Sequence, residues 1–145
     1  MFTIKQICTA FLLSVIIVPG VSSQPVEPNG QTRIHPGTEQ DYAMLVRNYN
    51  HLRAAVKTVD MLSDDNHNIG NFEVILCGNK ITQINSNEDL INEAQQKGIT
   101  ITACGMSMNK FSIDESELPD GVQVVQNGLI RIFDLQEKGY QTITL

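Results

Sequence analysis

Apolar and polar positions fall into two rhythms that alternate along this chain. Tyr42–Val46 is a short apolar run. After it, Leu52, Ala55, Val56, Val59 and Leu62 recur at helical spacing with Arg53, Lys57 and Asp60 between them, which predicts a strand over 42–46, a tight turn over 47–49 and a helix over 51–63. Asn50 is the expected N-cap. The rival reading is one helix over 41–63. Asp64–Asn71 is polar and reads as a loop, Phe72–Cys77 as an apolar strand ending at Gly78, and Asn87 as the cap of a helix through Lys97, with Leu90, Ile91 and Ala94 inward and Gly98 as its stop. In Gly98–Cys104, Ile99, Ile101 and Ala103 alternate with Thr100, Thr102 and Cys104, a β-branched strand with a sharp exit at Gly105. A helical turn is expected over 114–118, stopped by Pro119. A fourth strand follows over 122–125, then a helix opened by Asn127-Gly128 with Leu129, Ile132, Phe133 and Leu135 as its apolar face. Gly139 ends that helix before a last strand over 141–145. Strands alternating with helices through short loops predict an α/β domain over 41–145, its parallel sheet covered by helices on both faces.

The first forty residues do not join this pattern. Lys5 precedes an apolar run over 7–18, Pro19-Gly20 breaks it, and Val21-Ser22-Ser23 offers small residues for cleavage. That order is a secretory signal peptide over 1–23, and its apolar run falls short of the ~20 residues that a spanning helix needs. The expected location is therefore secreted or periplasmic, with no membrane attachment after cleavage. Residues 24–40, rich in Pro, Gly, Gln and Thr, read as a flexible tail. A chain of 145 residues with a formal net charge of −6 suits one domain and argues against a nucleic-acid partner. Glycine-rich phosphate loops are missing, so nucleotide binding is not expected.

Cleavage removes Cys8 and leaves Cys77 and Cys104, each followed by glycine at a strand end. Ligands of open α/β sheets gather at that rim. If the two strands are neighbours in register, the cysteine Cα atoms lie about 5 Å apart, within disulfide reach. A structural disulfide, a redox pair, or a reactive Cys104 beside an inert Cys77 are then all open. Gly105 and Ser107 can present backbone N–H groups to the Cys104 sulfur, and Lys110 is the nearest cation in sequence. His51, at the start of its helix, is a candidate base. Met44, Met106 and Met108 read as packing residues before copper ligands. His35 and His67 add no metal-ligand spacing, so neither a metal nor a cofactor is expected.

Phe72–Gly78 (FEVILCG), Gly98–Met108 (GITITACGMSM) and Val122–Tyr140 (VQVVQNGLIRIFDLQEKGY) resemble the DsrE/DsrF-like family of small sulfur-handling proteins. The resemblance spans about residues 41–145. It implies a three-layer α/β/α fold with a five-stranded parallel sheet, homo-oligomers, and a strand rather than a helix over 42–46. Relay members of the family carry a persulfide on a cysteine after the third strand, a position that Cys104 matches. The function implied is an exported carrier of sulfur on Cys104, its partners being copies of itself and a partner thiol protein or small sulfur compound. The alternative is a non-catalytic binding module held by a Cys77–Cys104 disulfide. Two features depart from the relay pattern: the exported leader, and Met106-Ser107-Met108-Asn109 where some relay members carry arginines.

Overall fold

The computed structural model describes residues 39–65 and 67–145. The leader expected over 1–23 and residues 24–38 of the tail expected over 24–40 lie outside the described residues. Five strands, β1 (Gln40–Val46), β2 (Ile69–Leu76), β3 (Ile99–Cys104), β4 (Gln123–Val125) and β5 (Gln141–Thr144), form one all-parallel sheet in the order β4-β3-β2-β1-β5. The helices are α1 (Tyr49–Asp64), α2 (Glu88–Gln96), α3 (Gly105–Phe111) and α4 (Gly128–Glu137). Among the described residues no helix is long and apolar enough to cross a membrane.

Strand parity divides the core in two. Met44, Val46, Val74, Leu76, Ile101 and Ala103 point to one face, where they pack with Leu52, Ala55 and Val56 of α1, Leu90, Ile91 and Ala94 of α2, and Met108 of α3. Ala43, Leu45 and Ile75 point to the other face and meet Ile132 and Leu135 of α4. The sheet is thus buried on both sides, which is why its strands are nearly continuous apolar runs. β3 exits toward the first face and β4 toward the second. A crevice therefore opens between them at the carboxyl rim, as open α/β sheets require where consecutive connections part.

The strand at 42–46 is present, so the single-helix reading of 41–63 does not hold. Several boundaries differ from expectation for identifiable reasons. Gln40, placed at the end of the tail, opens β1 by pairing with Ile69, and that pairing draws the end of the expected 64–71 loop into β2. Asn48, not Asn50, caps α1: its extended backbone lets Oδ1 accept from the His51 N–H at 3.0 Å, so the helix starts two residues early. Asn87 makes no side-chain cap; its Nδ2 donates to the Gln83 carbonyl because two 3₁₀ turns precede α2. The sequence pattern also placed Leu129 and Phe133 inward on the last helix. They are 52% and 59% exposed, and Gly128, Ile132 and Leu135 form the buried stripe instead.

Candidate functional site

Register brings the two cysteines together. Leu76 pairs with Ala103 across β2 and β3, so Cys77 and Cys104, one position further on, arrive side by side. Both belong to the sheet face that α4 covers. They lie on the wall of a pocket of about 380 Å³, together with Leu45, Arg47, Gly78, Ser107 and Asn127, while Met106 and Leu129 stand at its rim. Cys77 is half-buried. Cys104 is only 5% exposed, so its sulfur is reached through the pocket and not across open surface. Both thiols are free.

The start of α4 sits directly on this pair. Asn127 caps the helix by accepting from the Leu129 N–H at 2.9 Å, and the Gly128 N–H points at the Cys104 sulfur at 3.3 Å. That N–H is one of the unsatisfied donors at the positive end of a helix. A Cβ at residue 128 would stand 2.5 Å from Cys77 Sγ, 2.9 Å from Ile75 and 3.4 Å from Cys104 Cβ. Glycine is what lets the helix approach this closely. Ser107 completes the surroundings: its hydroxyl accepts from the Gly78 N–H at 2.9 Å, which ties the β2 exit to α3, and both its hydroxyl and its N–H serve the Cys104 sulfur.

These contacts separate the two thiols electrostatically. Burial pushes Cys104 up, but the Gly128 N–H, the Ser107 hydroxyl and N–H, and the Cys77 thiol more than reverse it, leaving Cys104 below the ordinary thiol value. Cys77 is pushed up to about 12, first by burial and then by the negative charge of Cys104 beside it; Arg47 opposes this only in part. Cys104 is therefore the more readily ionised of the two thiols, and Cys77 beside it stays protonated to far higher pH. A thiolate is the form of cysteine that attacks sulfur.

An ion pair between a buried carboxylate and a half-buried arginine fixes α4 over the thiols. Glu73, 4% exposed, lies on the same face of β2 as Cys77. Its Oε1 accepts from Thr102 Oγ1 at 2.8 Å and from Arg131 Nε at 3.0 Å, and its Oε2 accepts from Arg131 Nη2 at 2.8 Å. Arg131 is three residues beyond Gly128, one helical turn along. The bidentate grip therefore sets where the α4 amides fall.

Cys77, Cys104 and Ser107 are brought together as the spacing suggested. Gly105 is not on the pocket wall; a Cβ there would come within 3.0 Å of the Val125 carbonyl, so its smallness serves the close approach of β4. The Met106 N–H is taken by the Gln126 carbonyl and does not reach the sulfur. His51 does not line the pocket. α1 packs on the opposite face of the sheet, and the His51 ring lies against Asn48 Nδ2 at 3.1 Å. Lys110 is no partner either, its Nζ lying over the Phe111 ring at 5.6 Å; the cation at the pocket is Arg47. Met44 and Met108 are core residues, and Met106 is 58% exposed. Among the described residues no cluster of His, Cys, Asp and Glu could hold a metal. A second pocket of about 500 Å³ lies between α1 and the β1–β5 edge, and neither a thiol nor a charged side chain lines it.

The DsrE/DsrF-like family profile matches residues 73–145, from Glu73 to the last residue of the sequence, and so takes in both cysteines and all of α4. The chain belongs to the DsrE/DsrF-like family. Solved structures agree on the fold. A protein of unknown function from Methanobacterium thermoautotrophicum, MTH1491, superposes with a TM-score of 0.63 at 18% identity, over 74% of this chain and 100% of its own. A conserved protein of unknown function from Bacteroides thetaiotaomicron, BT1422, gives 0.56 at 18% identity over 73% and 95%. The ychN protein from E. coli gives 0.56 at 14% identity over 73% and 100%. No curated protein sequence matches the chain. For this DsrE/DsrF-like chain, Gly128 and Arg47 are the site residues that reasoning from sequence left out. The Asn127-Gly128 pair that opens α4 and the Arg47 that follows β1 were the available signals.

Proposed function

We propose that this protein works in sulfur relay, holding sulfane sulfur as a persulfide on Cys104. The observation that carries the reading is the Gly128 N–H on a buried cysteine sulfur at a strand end, 3.3 Å away. Membership of the DsrE/DsrF-like family supports a sulfur-relay role. In the loading step the Cys104 thiolate attacks the outer sulfur of a donor persulfide, R–S–SH. The donor S–S bond breaks, a new S–S bond forms at Cys104, and RS⁻ leaves. The Gly128 and Ser107 donors hold the attacking charge, and the pocket admits a small donor or an inserted thiol-bearing segment. Export belongs to the same proposal, with cleavage after Ser23, and amino-terminal sequencing of protein recovered outside the cytoplasm would check it.

The Cys77–Cys104 adjacency also suits a binding module held by a disulfide. The Gly128 N–H directed at the Cys104 sulfur favours the carrier. Thiol counting on the unfolded, unreduced protein separates the two: the carrier gives free thiols at both positions, the module gives neither.

Brief anaerobic exposure to sodium tetrasulfide, followed by alkylation and intact-mass measurement, tests the loading step. Wild type should gain about 32 Da, the mass of one sulfur, on part of the population, and Cys104→Ser should gain none. Equal gain on both proteins would overturn the assignment.

A further inference from the structure

A carrier needs one thiol, yet this site holds two on adjacent strands, one register step past the Leu76–Ala103 pair. Neighbouring strands lie about 4.8 Å apart, within the Cα separation that a disulfide spans. Both side chains leave the same face of the sheet, and the charge of Cys104 is felt by the Cys77 thiol. Gly128 presses on both, its absent Cβ position lying 2.5 Å from Cys77 Sγ and 3.4 Å from Cys104 Cβ. The pair is also graded in access. Cys104 lies deep at 5% exposure, while Cys77 is half-buried on the wall of the same pocket. A sulfur atom added to Cys104 therefore stands beside a second thiol on the adjacent strand.

We infer that Cys77 is a resolving thiol, so that the site can discharge its sulfur reductively as sulfide as well as hand it on. The inference rests on the loading reading above. In the step, the Cys77 proton passes to the terminal sulfur of the Cys104 persulfide. The Cys77 sulfur attacks Cys104 Sγ, the persulfide S–S bond breaks, and a Cys77–Cys104 disulfide forms. The balance is Cys77–SH plus Cys104–S–S⁻ giving the disulfide plus HS⁻. The sulfane sulfur gains two electrons, and the two cysteines together lose them. A dithiol reductant entering at the more accessible Cys77 then restores both thiols and leaves as its own cyclic disulfide. The protein would thus be a dithiol-dependent persulfide reductase in addition to a carrier.

The test loads full-length wild type and Cys77→Ser anaerobically with sodium tetrasulfide, desalts them, and follows mass and released sulfide over time, with Cys77→Ala as a second variant. Wild type should lose its adduct of about 32 Da, settle about 2 Da below the reduced mass as a disulfide forms, and release stoichiometric sulfide. Both Cys77 variants should keep the adduct and release none, and donor-free wild type should stay reduced. Wild type keeping its adduct as long as the variants would overturn the resolving role while leaving the loading reading in place. No adduct on any of the proteins, with no disulfide in wild type, would overturn the loading reading and this inference with it.

Discussion

Ser107 is the residue whose removal separates packing from electrostatics at the site. Its hydroxyl bonds the Cys104 sulfur and accepts the Gly78 N–H, so Ser107→Ala takes away one of the contacts that offset burial. The native Cys104 value lies below that of an exposed thiol. The stability contributed by its thiolate contacts is therefore present above the unfolded value and lost as pH falls through the folded one. Site-resolved iodoacetamide labelling against pH should give a Cys104 midpoint below the ordinary thiol value and none for Cys77 until far more alkaline solution. Ser107→Ala should move the Cys104 midpoint up, and labelling below that midpoint should slow with it. An unmoved midpoint would mean that Ser107 does not hold the sulfur. At this scale the chain was partly legible. A cysteine-glycine pair ending a β-branched strand pointed to Cys104, whereas Arg47 and Gly128 act through contacts over long sequence separation that no local pattern reveals.

The α4 element is positioned by an ion pair that reads as an anomaly in sequence. Glu73 interrupts an otherwise apolar strand, and Arg131 interrupts an apolar helix stripe. A buried carboxylate needs a partner, and each is the other's. The apolar stripe alone predicted Leu129 and Phe133 inward. The helix is instead rotated to seat Gly128 over the thiols and deliver Arg131 to Glu73, which the helical period cannot disclose. Removing one partner leaves the other charge buried. Arg131→Leu should therefore cost on the order of 3 kcal/mol in urea unfolding, and Glu73→Gln combined with it should recover much of that loss. The same single variant should slow sulfur loading on the folded protein, because the Gly128 N–H is no longer held on Cys104. A loss under about 1 kcal/mol would show that the pair does not anchor the helix. The element order itself was legible from the alternation of periods. The boundaries were not, because strand pairing at Gln40–Ile69 and the Asn48 cap decide them.

Across the whole molecule the two sheet faces are covered unequally. Three helices pack on one side and α4 alone on the other. Leu129, Ile130 and Phe133 on the outer side of α4 are all more than half exposed, beside Met106 at the pocket rim. We propose that a second copy of the chain covers this face, since a two-fold contact buries the same helix of both subunits at once and leaves no apolar stripe of either in water. Sedimentation should then give an oligomer at micromolar concentration and a shift toward monomer for Phe133→Lys. A wild-type monomer there would reject it. Such an assembly would place a neighbour's surface at the mouth of the sulfur pocket and restrict which donors enter. The architecture, five parallel strands between helical layers, was readable from the sequence because both rhythms persist through the domain. The unequal cover was not, since an exposed helix face and a buried one carry the same apolar residues.

All three scales converge on one sulfur atom. Alkylation of briefly loaded wild-type protein, digestion, and tandem mass spectrometry would locate it on the chain. The account predicts the alkylated persulfide on the peptide carrying Cys104. Finding it on the Cys77 peptide instead, or on neither, would contradict the account.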